Sequence, residues 1–223
     1  MRVIDLRQTE LRELNQSLQT GESGTDWQVD NPDGKHSIAV GLSAAINVTI
    51  NGHTGYYCAG MNQKANVMVN GNVGPGVAEN MMSGVVHVKG SASQYAGATG
   101  NGGLLVIEGD ASSRCGISLK GTDIVVKGSV GHMSAFMAQA GRLVICGDAG
   151  DALGDSAYEV HIYVKGNVKS LGADCVEKDM REEHVAELQG LLDKAGFDDD
   201  PKDFKRYGSG RDLYNFKVDD AVL

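Results

Sequence analysis

The sequence predicts an all-β fold: a right-handed parallel β-helix of about seven 19-residue coils, with a short N-terminal helix and a C-terminal helix plus an extended tail. Three observations lead there. Glycine recurs at a fixed spacing of nineteen, at Gly52, Gly71, Gly90, Gly109, Gly128, Gly147 and Gly166, without an insertion. Two residues before each stands Ile50, Val69, Val88, Ile107, Val126, Ile145 or Val164, and four before stands Val48, Val67, Val86, Leu105, Ile124, Leu143 or Ile162. No helical pattern lies between one glycine and the next.

Alternation with a period of two marks a short strand with one buried face. A glycine just after it marks a corner that needs positive φ or close backbone approach. A strand this short cannot hide its own apolar face, so each unit must stack on its neighbours as one coil of a solenoid. At about 4.8 Å per coil, the stack predicts a prism roughly 30 Å tall. Hexapeptide helices, calcium-binding nonapeptide coils and leucine-rich repeats have other periods or signatures and are excluded.

The remaining coil positions agree. Two residues after the phase glycines come Thr54, Val73, Ala92, Ala111, Val130, Ala149 and Val168, small or branched and suited to the interior. Seven after come Ala59, Ala78, Gly97, Gly116, Ala135, Gly154 and Ala173. The loop GDAGDALG, residues 147–154, is thus a coil corner. It lacks both nucleotide fingerprints, since there is no G-x-G-x-x-G and no Gly-Lys-Ser/Thr.

Before the repeat, Leu11, Leu14 and Leu18 in residues 8–19 predict a short amphipathic helix with Thr9 as its N-cap. Together with the turn-rich stretch to Gly41 they are expected to cover one end of the stack, which would otherwise present an unpaired edge. After the repeat, Val176, Met180, Val185, Leu188, Leu191 and Leu192 trace one helical face over 176–197, with Gly196 as the stop. The organisation expected is therefore residues 1–45 as N-terminal helix and cap, 46–175 as β-helix, and 176–223 as C-terminal helix and docking tail.

The tail differs from the rest. Phe197, Phe204, Tyr207, Tyr214 and Phe216 cluster there, and from Lys202 to Lys217 five basic residues meet two acidic ones. It either docks on a partner, as exposed aromatics and Arg often do, or folds back on the chain itself. On the first reading, removal of residues 200–223 leaves the solenoid folded but weakens assembly.

Bulk numbers narrow the function. A formal charge of −9 argues against a sequence-independent nucleic-acid binder. No apolar run approaches a membrane span and the N-terminus lacks a signal-peptide core, so a cytoplasmic location is expected. Cys58, Cys115, Cys146 and Cys175 form no C-x-x-C pair and read as interior packing. His53, His87, His132 and His161 fall on different coil positions and read as surface or satisfied histidines. Asp110, Asp148, Asp151 and Asp155 give no carboxylate pair across coils, which disfavours a β-helical carbohydrate-active enzyme. No catalytic, cofactor-binding or metal residue is assigned to this chain.

The motif G-x-x-G-x-x-x-G, whole at Gly147, Gly150 and Gly154 and as G-x-x-G at Gly52, Gly71 and Gly128, resembles the β-helical domain at the C-terminal end of the glutamate synthase large subunit. The β-helical scaffold subunit of formylmethanofuran dehydrogenase shares that domain and is the alternative reading. The stretches GHMSAFMAQAG (131–141), GDAGDALGDSAYE (147–159) and FKRYGSGRDLYNF (204–216) look like the stand-alone β-helix (GXGXG) subunit of N-methylglutamate synthase. That resemblance implies a complex with methylamine–glutamate N-methyltransferase activity. A glutaminase-like subunit and a flavin-binding synthase subunit would be the partners, with FMN and an iron–sulfur cluster on a partner. No catalytic residue of the family carries over onto this chain, and Met1 is followed by Arg2 rather than by the cysteine of a processed amidotransferase.

Overall fold

The structure, a computed structural model, describes residues 1–211. In chain order it comprises β1 (Arg2–Asp5), α1 (Leu11–Gln19), β2 (Asp26–Asp30), β3 (Asn47–Asn51), β4 (Asn66–Asn70), β5 (Val85–Val88), β6 (Leu104–Ile107) and β7 (Lys120–Val126). There follow β8 (Ala140–Ile145), β9 (His161–Val164), β10 (Cys175–Lys178), α2 (Glu182–Ala195), a 3-10 turn (Pro201–Asp203) and β11 (Lys205–Ser209). The strands form one sheet in the order β1 to β9, then β11, then β10. From β1 to β9 every pairing is parallel, so the chain is a parallel β-solenoid.

The nineteen-residue phase is the register itself. Val48 pairs with Val67, Val67 with Val86, Val86 with Leu105 and Leu105 with Ile124, so each apolar position stacks on its equivalent. A second column of bridges runs two residues past the phase glycines, from Thr54 through Val73, Ala92, Ala111, Val130 and Ala149 to Val168. Apart from the partly buried Val168 these inward columns are buried, and with Cys58, Cys115 and Leu153 they form a continuous apolar core.

Of the two reasons a corner can need glycine, close approach is the one at work in the phase column from Gly71 onward, while Gly52 has φ 133°. A Cβ on Gly109 would lie 2.9 Å from the carbonyl carbon of Gly90, and one on Gly147 would lie 2.6 Å from that of Gly128. Positive φ is needed instead seven residues on, where Ala59, Ala78, Ala135 and Gly154 all adopt φ between 54° and 66°. Next to the phase column runs a chain of side-chain caps. The Asn72 N–H donates to His53 Nδ1, Ser91 N–H to Asn72 Oδ1, and Asp110 N–H to Ser91 Oγ. Ser129 N–H continues it to Asp110 Oδ1, Asp148 N–H to Ser129 Oγ, and Asn167 N–H to Asp148 Oδ1, all within 2.7–3.2 Å.

At the N-terminal end, β1 and β2 continue the parallel ladder ahead of the regular phase, and α1 buries Leu14 and Leu18 against the core. Thr9 is not the N-cap. The chain turns tightly just before the helix, with the N–H groups of Gln8 and Thr9 both on the Asp5 carbonyl, and the helix starts from Glu10.

The C-terminal end departs further from expectation. Residues 176–197 do not form one helix: Cys175–Lys178 is a strand, and α2 begins at Glu182. Tertiary pairing overrides the helical periodicity here, because β11 lies antiparallel between β9 and β10 and satisfies both backbones. Val176 is accordingly exposed, while His184 and Ala195 join Leu188, Leu191 and Leu192 on the buried face of α2. The stop at Gly196 holds, in a left-handed conformation with φ 77°. Phe204 and Tyr207 are buried, so residues 204–209 fold back on the chain itself. Tyr214, Phe216 and Lys217 lie outside the described residues.

Candidate functional site

Strand side chains point alternately into the solenoid and out of it. The outward column starts polar or mixed, with Gln28, Thr49, Met68 and His87, and turns fully apolar at Val106, Val125 and Val144 before reaching Tyr163. Helix α2 lies across the apolar half. Val106, Val125, Val144 and Tyr163 pack with Leu188, Leu191, Leu192, Ala195 and Phe204 into a second core outside the solenoid. The polar half of the column carries no such cover among the described residues.

One carboxylate pins α2 to the sheet. Glu187 Oε1 accepts the Tyr163 hydroxyl at 2.6 Å and lies 2.7 Å from His161 Nδ1, and Oε2 accepts Arg142 Nε at 2.8 Å. Arg142 also reaches Asp123 Oδ1 at 3.4 Å. Burial alone would push the Glu187 carboxyl up, but the hydrogen bonds from His161, Tyr163 and Arg142 outweigh it and bring the carboxyl down to about 2. Burial raises the Tyr163 phenol, and its bond to Glu187 adds to the effect, so it stays a donor. His184, whose ring centroid lies 5.5 Å from that of His161, is held below the ordinary imidazole value by burial and by Arg206 and Arg181. Its Nδ1 accepts the Arg181 N–H at 3.2 Å and so fixes the start of α2.

Beside this cluster a surface cavity of about 460 Å³ opens where β11 enters the sheet, with His161, Lys178, Arg206 and Ser209 in its wall. At the other end of the molecule Tyr57, Met61 and Met82 stand 49, 53 and 50% exposed, and two neighbouring hollows share Met61 and Asn80.

The residues weighed in the sequence have structural environments. Cys58 and Cys115 are fully buried, which raises their thiols to about 11 and about 12. Asp110 and Asp148 belong to the corner caps, Asp151 holds Lys169 at 2.8 Å, and Asp155 accepts the Ala173 N–H at 3.2 Å. His87 faces Glu108 at 2.8 Å. Among the described residues no three His, Cys, Asp or Glu side chains are grouped to hold a metal ion. Nor is any helix among them long and apolar enough to cross a membrane. The Glu187 cluster was not legible in the sequence because its members come from three elements, β8, β9 and α2. The apolar switch at Val106 was the one signal that something covers that face.

No family model matches the chain, and no solved structure matches it. A curated protein does: Protein GlxC of Rhizobium meliloti (strain 1021) is 61% identical over 225 aligned residues, covering 99% of this chain and 99% of that one. At that identity, and with the two chains matching almost end to end, the chain belongs to the family of Protein GlxC.

Proposed function

We propose that this chain is the non-catalytic β-helical scaffold of a glutamate synthase-like flavoprotein complex, most closely of the N-methylglutamate synthase kind. It holds a glutaminase-like subunit and an FMN-containing synthase subunit at a fixed separation, in a complex with methylamine–glutamate N-methyltransferase activity. An iron–sulfur cluster, like the FMN, belongs to the partner.

The observation that supports this reading is the coil-to-coil register, which shifts where β7 meets β8 between Lys120 and Asp123 and is otherwise regular from β2 to β9. Eight parallel strands from β2 to β9 stack residue on equivalent residue, and six corner caps tie neighbouring coils. At strand spacing that is a spacer about 34 Å long. Its close-packed interior resists compression, so two proteins bound along it keep their distance. A fixed distance is what transfer of nascent ammonia or amine between two catalytic centres needs. The exposed Tyr57, Met61 and Met82 are side chains of the kind that partner proteins cover.

The test is native mass spectrometry of the tagged protein purified from its own host, with an absorbance scan for flavin. Co-purification with a glutaminase-like chain and a yellow synthase chain supports the scaffold. A colourless monomer or self-oligomer overturns it.

A further inference from the structure

The antiparallel register of β10 and β11 sets Lys178 directly opposite Arg206. Side chains so placed on one face stand roughly 5 Å apart at Cβ, and like charges there are destabilising. The neighbouring positions have compensated their charges. Lys205 reaches Glu177 at 3.1 Å, Arg181 reaches Glu183 at 2.8 Å, and Arg142 lies between Glu187 and Asp123. Among the described residues Lys178 and Arg206 have no carboxylate partner. Arg206 uses Nε on the Asp179 carbonyl at 3.0 Å, which fixes the guanidinium stem and leaves its outer nitrogens for something else.

That pair lines the cavity of about 460 Å³ together with His161, Gly208, Ser209 and Glu159. The volume suits a small molecule. Two juxtaposed cations with no ion-pair partner among the described residues, one of them already oriented, form an anion site in a chain whose overall charge is −9. Glu159 selects among anions: its carboxylate in the same lining repels a dianionic phosphate more than a singly charged carboxylate.

We propose that this cavity binds a small carboxylate-bearing molecule, its carboxylate bridging Lys178 and Arg206. The proposal does not depend on the scaffold reading, since it concerns this chain alone and requires no partner.

The test is titration of the isotope-labelled full chain with propionate, and separately with inorganic phosphate, at low salt, following backbone amide shifts. Saturable shifts at Lys178, Arg206, Gly208 and Ser209 with propionate, weakened at least tenfold in both Lys178→Gln and Arg206→Gln and unchanged in the distant control Lys64→Gln, support the site. Lys178→Gln removes no hydrogen bond seen among the described residues, so it remains interpretable if Arg206→Gln perturbs the strand. Silence toward propionate, a response to phosphate alone, or equal weakening in the Lys64 control overturns the proposal.

Discussion

The Tyr163 hydroxyl on the last parallel strand donates to Glu187 on α2 at 2.6 Å, so a strand of the solenoid and the helix outside it are joined by a charge-assisted bond. Removing that charge loosens the helix. Glu187→Gln leaves three donors with a weaker acceptor, and a cost of about 2 kcal/mol is expected from hydrogen bonds to an ionised group. Tyr163→Phe removes one donor only and costs about 1 kcal/mol. Urea unfolding of the two variants beside the wild type measures both.

The same carboxyl gives a pH dependence with a definite sign. Its value falls from the usual 4.5 in the unfolded chain to about 2 in the folded one. Its contribution to stability is therefore complete above about pH 4.5 and lost as the pH falls toward 2. Thermal midpoints taken between neutral pH and pH 2 should fall in that window, and the slope should be smaller in Glu187→Gln. Equal slopes in the two proteins would refute the assignment.

Two glycine substitutions should have opposite effects. Gly109→Ala places a methyl 2.4 Å from Ser91 Oγ and 2.9 Å from Gly90 backbone, in a column where each coil rests on the last. Two coils must separate, and a loss of roughly 2–3 kcal/mol follows from overpacking of this kind. Gly190→Ala on α2 meets nothing within 4 Å, and alanine there is expected to stabilise by about 0.8 kcal/mol. Thermal unfolding of the pair checks both signs.

Thiol labelling tests the interior. Cys58 and Cys115 are buried, with thiols raised to about 11 and about 12, and burial likewise raises Cys146 to about 12 and Cys175 to about 11. Native protein at pH 8 should react slowly with a thiol reagent at all four. Denaturant should release all four at once; fast native labelling of Cys58 or Cys115 would contradict the packed core.

Truncation separates two parts of the C-terminal segment. From the sequence alone, removal of residues 200–223 is expected to leave the solenoid folded, but that deletion takes out β11 and strips β9 and β10 of their partner, together with buried Phe204 and Tyr207. It should unfold the last coil or precipitate the protein. A chain ending at residue 211 keeps all of these and should keep the last coil folded.

The repeat was legible because its physics is local and periodic: an apolar pair and a glycine return on the same phase in every coil. What was not legible lies off that phase. Trp27 pairs with Val48 at a spacing of 21 residues, and Arg2 with Trp27 at 25, so β1 and β2 leave no trace at nineteen. Val176 and Met180 matched a helical face by spacing alone, yet pairing with Gly208 made the first of them a strand residue. The Glu187 contacts join residues 24 to 45 positions apart and follow no pattern that sequence spacing could show.

The corner caps all point one way. His53, Asn72, Ser91, Asp110, Ser129 and Asp148 each hold the acceptor, and the donor is always the N–H one coil later. Each finished coil therefore presents acceptors to the next, while some of its own N–H groups, such as those of Thr54 and Val73, are satisfied only by the carbonyls of Asn72 and Ser91 one coil later. A chain leaving the ribosome N-terminus first can lay down its coils in the order of translation, each new turn settling on one already formed. Strand β11 breaks that order, since it must slot between β9 and β10 after both exist. The last coil is thus sealed only after residues 205–209 have been made.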